Sequence, residues 1–153
     1  MRLSLLLLAV PALVLVACGS EYPGFERFGG ISGTIEYSGS VQDDLANPAL
    51  GVYAFASWPP AGLPHGSRLF IAPDFSQGSR SYELLSLDPY EYIVLAMLID
   101  LEEPITMEMD LSDPEGLPPA VGAYPNLLTF VDEPVTVRAG EVTRGIDVQL
   151  VEF

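Results

Sequence analysis

Lysine is absent from this chain, and cysteine, histidine and tryptophan each occur once in 153 residues. Six arginines face 21 acidic residues, giving a formal net charge of −15. A surface this negative has no basic stripe to neutralise phosphates, so nucleic-acid binding is excluded. One histidine and one cysteine cannot supply the ligands of a zinc, copper or haem centre. His65 lies in the loop Gly62-Leu63-Pro64-His65-Gly66. No Gly-x-Ser-x-Gly elbow accompanies it, so a Ser-His-Asp hydrolase is not expected. Long amphipathic helices are missing too: beyond residue 30, no window of eleven residues keeps a helical apolar period without meeting proline or glycine. Disorder is excluded by the opposite deficit. Hydrophobic residues make up 49% of the chain and aromatics 10%, well above the composition that fails to collapse.

What is present begins with an apolar run from Leu3 to Val16, interrupted only by Ser4 and Pro11. Its length of about 14 residues falls short of the roughly 20 that a membrane-spanning helix needs, and it reads as an export signal. The run ends in Leu15-Val16-Ala17-Cys18, which resembles the lipobox of bacterial lipoproteins. That resemblance implies cleavage before Cys18, a diacylglycerol on its sulfur and, in many bacteria, a further acyl chain on its amino group. Two or three such chains hold a protein at a membrane almost permanently, at roughly 0.8 kcal/mol per buried methylene. Gly19 rather than Asp follows the cysteine, which by analogy with enterobacterial sorting implies the outer membrane in a two-membrane host. The expected organisation is a signal peptide over 1–17, a lipidated tether over 18–29 and one folded domain over 30–153. Without Arg2 the mature chain sets five arginines against 21 acids, a net −16. With Cys18 acylated, that domain has neither a disulfide nor a thiolate nucleophile.

Period-two patterning then recurs along the domain. Ile31, Gly33, Ile35 and Tyr37 alternate with Ser32, Thr34 and Glu36, predicting a half-buried strand. Val52 to Ala56 is apolar throughout and predicts a strand buried on both faces. Tyr90 to Ile99 is the most hydrophobic segment and predicts a central strand. Further strands are expected at Leu69 to Ala72, Ser81 to Leu85, Ile105 to Leu111, Leu127 to Val131, Pro134 to Val137 and Gly145 to Val151. Seven to nine short strands with proline and glycine punctuation predict an all-β fold, a sandwich of two antiparallel sheets.

Several segments carry a resemblance at family level. Ile31-Ser32-Gly33-Thr34-Ile35, Tyr92-Ile93-Val94-Leu95-Ala96 running to Asp100, Val121-Gly122-Ala123-Tyr124-Pro125, and Val135 to Thr143 before Gly145-Ile146-Asp147-Val148-Gln149-Leu150 are together similar to the carboxypeptidase regulatory-like, transthyretin-like modules of exported bacterial proteins. The resemblance covers about residues 30–151 and implies a transthyretin-like sandwich. Asp88-Pro89-Tyr90 replaces the Asp-Gly or Pro-Gly turn common before the middle strand, and only Asp100 matches the acidic loop often found after it. The purine-degradation hydrolase of this fold uses several histidines and a Tyr-Arg-Gly-Ser type terminus, whereas this chain ends Leu150-Val151-Glu152-Phe153, which excludes that activity.

Carboxylates are the remaining chemical resource. Seven acids and no base lie between Asp100 and Glu115. A hard cation such as calcium would relieve their repulsion, and Asp100, Glu102 and Glu103 are the candidates for its ligands. The competing reading is a solvated acidic rim, since Glu108 and Asp110 alternate with apolar residues and the EF-hand spacing is absent. Trp58 and Tyr124, both in loops, are candidates for an aromatic platform that stacks on a sugar ring or grips a peptide. The expectation is a non-catalytic, lipid-anchored β-sandwich that binds or supports an envelope protein or glycan and needs no cofactor. A calcium-binding receptor or cation-dependent enzyme is the alternative.

Overall fold

Among the described residues, the alternation and the long apolar runs form ten strands in two sheets. The computed structural model describes residues 27–60, 62–75, 78–102 and 117–153, apart from the side chain of Gln42. In order these are β1 (Gly29–Glu36), β2 (Pro48–Phe55), β3 (Gly66–Ile71), β4 (Ser79–Leu87), β5 (Glu91–Asp100), β6 (Ala120–Ala123), β7 (Val135–Thr136), β8 (Val142–Thr143), β9 (Val148–Gln149) and β10 (Val151–Glu152). One 3-10 turn, Val41–Asp44, precedes β2, and no α-helix occurs among the described residues. The segment 1–26, with the signal and Cys18, lies outside the described residues, as do Glu103 and the strand expected from Ile105 to Leu111.

The smaller sheet runs β4-β1-β8, with β9 also pairing to β1. The larger runs β10-β6-β5-β2-β3, with β7 pairing to β5. The all-β sandwich is therefore present, and antiparallel pairing dominates it. The exceptions are β8 and β9, which run parallel to β1. Chain order brings this about: the segment that fills the free edge of β1 arrives at the end of the domain, through a long connection rather than a hairpin.

The continuous apolar strands are buried on both faces. Leu50, Val52, Ala54, Val94, Ala96 and Leu98 of β2 and β5 meet Ile31, Ile35, Tyr82 and Leu84 of the smaller sheet in an inner core. The alternate residues Ala49, Tyr53, Phe55, Ile93, Leu95, Met97 and Ile99 form a second cluster on the opposite face with Val121, Ala123 and Phe130. Each fully buried large aliphatic side chain contributes about 1.5–3 kcal/mol. β2 and β5 thus carry much of the hydrophobic stabilisation.

Local details position the edges. Gly29 pairs with Leu87 and Gly30 with Leu85, which leaves Ser86 as an extra residue at φ 61°. This bulge switches the parity of β4, so that Leu87 is buried along with Tyr82 and Leu84. Gly33 admits the closing segment, because a Cβ there would overlap the Ile146 carbonyl. That same carbonyl accepts a 2.6 Å hydrogen bond from the buried Tyr82 hydroxyl. Ile146, Val148 and Leu150 point inward as expected. The chain then changes sheets, from β9 beside β1 to β10 beside β6.

Leu127 to Val131 is a turn, not a strand. The side-chain oxygen of Asn126 accepts from Leu128 N at 2.9 Å and Thr129 N at 3.2 Å, and its carbonyl accepts from Phe130 N at 3.1 Å. Asparagine has captured the amide groups that a strand would offer to a neighbour. β6 and β8, by contrast, are strands where none had been expected.

Candidate functional site

Asp100 ends β5, and its carboxylate is enclosed by backbone donors. Oδ2 accepts from Ala46 N at 2.8 Å, while Oδ1 accepts from Asn47 N at 3.2 Å and Glu102 N at 3.0 Å. Glu102 in turn accepts a 2.7 Å bond from the Asn47 side-chain amide. The amides of Glu102, Ala46 and Asn47 hold Asp100 below the usual carboxylate range. The structure thus brings Asp100 and Glu102 together around one turn, where they order the approach to β2. Among the described residues, no group of three potential metal-ligating side chains is present.

Trp58 and Tyr124 are not brought together. Trp58 packs on the outer cluster, its ring edge-on to Phe130 at 5.1 Å between centroids. Tyr124 packs on the inner core and lines a groove of about 400 Å³ beside Arg138 and Glu141. Those two residues form an exposed ion pair at 3.9 Å, the one such pair among the described residues. His65 donates its backbone N–H to Ala54 O at 2.8 Å, and its ring lies 5.6 Å from that of Tyr92.

A more open feature lies elsewhere. A groove of about 610 Å³ crosses the smaller sheet from the β8–β9 connection over β1 and β4 to β3. Its floor is the solvent face of β1 and β4, where Ser32 sits opposite Glu83 and Thr34 opposite Ser81. Asp147 fixes one side: its Oδ1 accepts from Thr34 N and Thr34 Oγ1, each at 2.8 Å. Arg144 borders that side and Arg68 the other.

An aromatic–guanidinium stack marks the β3 end. The guanidinium of Arg80 lies 4.5 Å, and that of Arg68 5.5 Å, from the centre of the Phe70 ring. The Nε of Arg80 is buried with no hydrogen-bond partner. Stacking on an aromatic face partly offsets that lost hydration. Arg68, Arg80 and Arg144 are three of the five arginines in the described residues, and none is within ion-pair distance of a described carboxylate.

Sequence reasoning missed this groove. The available signal was the alternation of Arg68 and Phe70 beside a chain otherwise so poor in positive charge. Their meeting with Arg80 depends on the edge strands β3 and β4 of different sheets lying side by side, which no local pattern reports. Protein-family models, curated proteins and solved structures contain no match to this chain.

Proposed function

We propose that this protein is a lipid-anchored, non-catalytic β-sandwich of the bacterial cell envelope that binds or supports a partner outside the membrane. The carrying observation is Cys18, the single sulfhydryl in the chain, at the end of an apolar leader spelled Leu15-Val16-Ala17-Cys18. Acylation there would tether an acidic domain through a short linker, with the outer membrane as the destination in a two-membrane host. The order of strands, with Val121-Gly122-Ala123-Tyr124 beside the middle strand, supports reading the domain as transthyretin-like.

The chemistry of the site supports binding over catalysis. Asp100, Asp147 and Glu152 each hold backbone amides in place. The His65 ring leans against that of Tyr92 at a tilt of 60°. The groove across the smaller sheet offers hydroxyls, arginines and carboxylates over a paired sheet, which suits recognition of a polar ligand.

Metabolic labelling with a fatty-acid probe tests the anchor. The wild-type chain is expected to take up label and to sediment with membranes, and the Cys18→Ser variant to do neither. A mature protein with the mass of unmodified amino acids would end this reading.

A further inference from the structure

The groove across the smaller sheet carries an assignment of its own. Acids outnumber arginines 21 to six in this chain, so carboxylate partners are in ample supply. Arg68 and Arg144 instead stand exposed at opposite sides of one groove without an ion-pair partner among the described residues. Adjacent strands lie about 4.8 Å apart, so the floor from the β8–β9 connection across β1 to β4 is roughly 10 Å wide. That is the scale of a few linked sugar rings.

The floor selects the kind of ligand. Backbone groups of β1 and β4 are already paired with each other through the eight positions from Gly29 to Glu36. A ligand lying flat on that face meets side chains rather than open backbone groups, whereas a peptide could extend the sheet only at the free edge of β4. The groups left over are the hydroxyls of Ser32 and Ser81, the carboxylate of Glu83 and the second oxygen of Asp147. Hydroxyl and carboxylate side chains match the hydroxyls of a carbohydrate.

Charge sets the rest. Arginine pairs with a carboxylate in bidentate geometry. Remote acids on the domain are screened beyond about 8 Å at physiological salt, whereas Arg68 and Arg144 act at contact. Glu83 and Asp147 lie between them and repel any ligand with dense negative charge. We infer that this groove binds a short acidic oligosaccharide, a few sugar residues long, whose spaced carboxylates reach Arg68 and Arg144 while its hydroxyls meet Ser32, Ser81, Glu83 and Asp147.

The inference rests on the domain being a binding module, and acylation of Cys18 is scored separately, so failure of one leaves the other readable. The test is calorimetric titration of the full-length chain in detergent with trigalacturonic acid, its methyl ester and tri-glutamate. Saturable binding of the free acid is expected, weakened about tenfold or more by Arg68→Gln, by Arg144→Gln and by esterification. Arg27→Gln, an exposed arginine outside the groove, should leave it unchanged. No saturable heat at millimolar sugar, equal binding of the ester, equal or tighter binding of tri-glutamate, or equal loss in Arg27→Gln would each overturn the assignment.

Discussion

The hydroxyl of Tyr37, just past β1, donates a 2.6 Å hydrogen bond to Oε1 of Glu152 in β10. The same oxygen accepts from Ser40 N at 2.7 Å and Val41 N at 2.8 Å, so one carboxylate joins the end of the first strand, the 3-10 turn and the last strand. Tyr37 itself is buried edge-on against Phe75 at 5.1 Å.

This contact predicts a pH dependence. The Tyr37 hydroxyl, then the amides of Val41 and Ser40, hold Glu152 below its ordinary value of 4.5. A carboxyl with a lowered folded-state pKa adds stability above its unfolded value and loses it as pH falls through the folded one. Thermal melts of Glu152→Gln should therefore lie below wild type at pH 7. The gap should narrow below pH 4.5. A gap of constant size down to pH 2 would show that the charge on Glu152 contributes nothing.

Asp100 should behave as a structural cap. Asp100→Ala leaves three backbone amides without their acceptor, and its melting temperature should drop both with and without millimolar calcium. Wild-type protein should melt at the same temperature in either condition. A calcium-dependent rise in wild type that disappears in Asp100→Ala would instead establish a cation site at the end of β5.

Tyr82→Phe removes the donor to the Ile146 carbonyl and leaves that oxygen unsatisfied among apolar side chains. Burial pushes the Tyr82 hydroxyl well above its normal pKa, as does the nearby Asp147 charge, so it remains a proton donor across the accessible range. Urea denaturation should show a loss of about 1–3 kcal/mol. Gly33→Ala, which drives a methyl group into the same carbonyl, should cost at least as much.

Leu95 and Leu98 test whether both faces of β5 are core. They lie on opposite sides of the strand at 1% and 0% exposure. Each substituted by alanine should lose about 2–5 kcal/mol. A Leu95→Ala loss below about 1 kcal/mol would mean that the outer cluster is packed far more loosely than the inner core.

Strand content was largely legible in the sequence because the two periodicities that matter were explicit. The alternation from Ile31 to Tyr37 became β1, and the unbroken apolar runs around Val52 and Tyr92 became the doubly buried β2 and β5. Leu127 to Val131 misled because its apolar content resembles a strand while Asn126 takes the amides. β6 and β8 were overlooked because four and two residues are too few to show a period. Parallel pairing to β1 is a property of topology, and nothing in the residues from Val142 to Gln149 states which edge they will fill.

The candidate site was less legible. Asp100, Glu102 and Glu103 stood out in the sequence as candidate cation ligands, but the hydrogen bonds of Asp100 and Glu102 join them to a turn more than fifty positions away. Trp58 and Tyr124 share loop character in the sequence yet belong to opposite faces of the larger sheet. The arginine groove draws on β1, β3, β4 and the β8–β9 connection at once.

Parallel alignment of β8 and β9 with β1 bears on how the domain answers tension. A pull on Gly29 opposed by a pull beyond Gln149 slides these strands lengthwise, so their interstrand hydrogen bonds share the load instead of parting in succession. Anchored from its N-terminal side and tugged through its far end, this body would resist like a glued lap joint rather than a peeled tape.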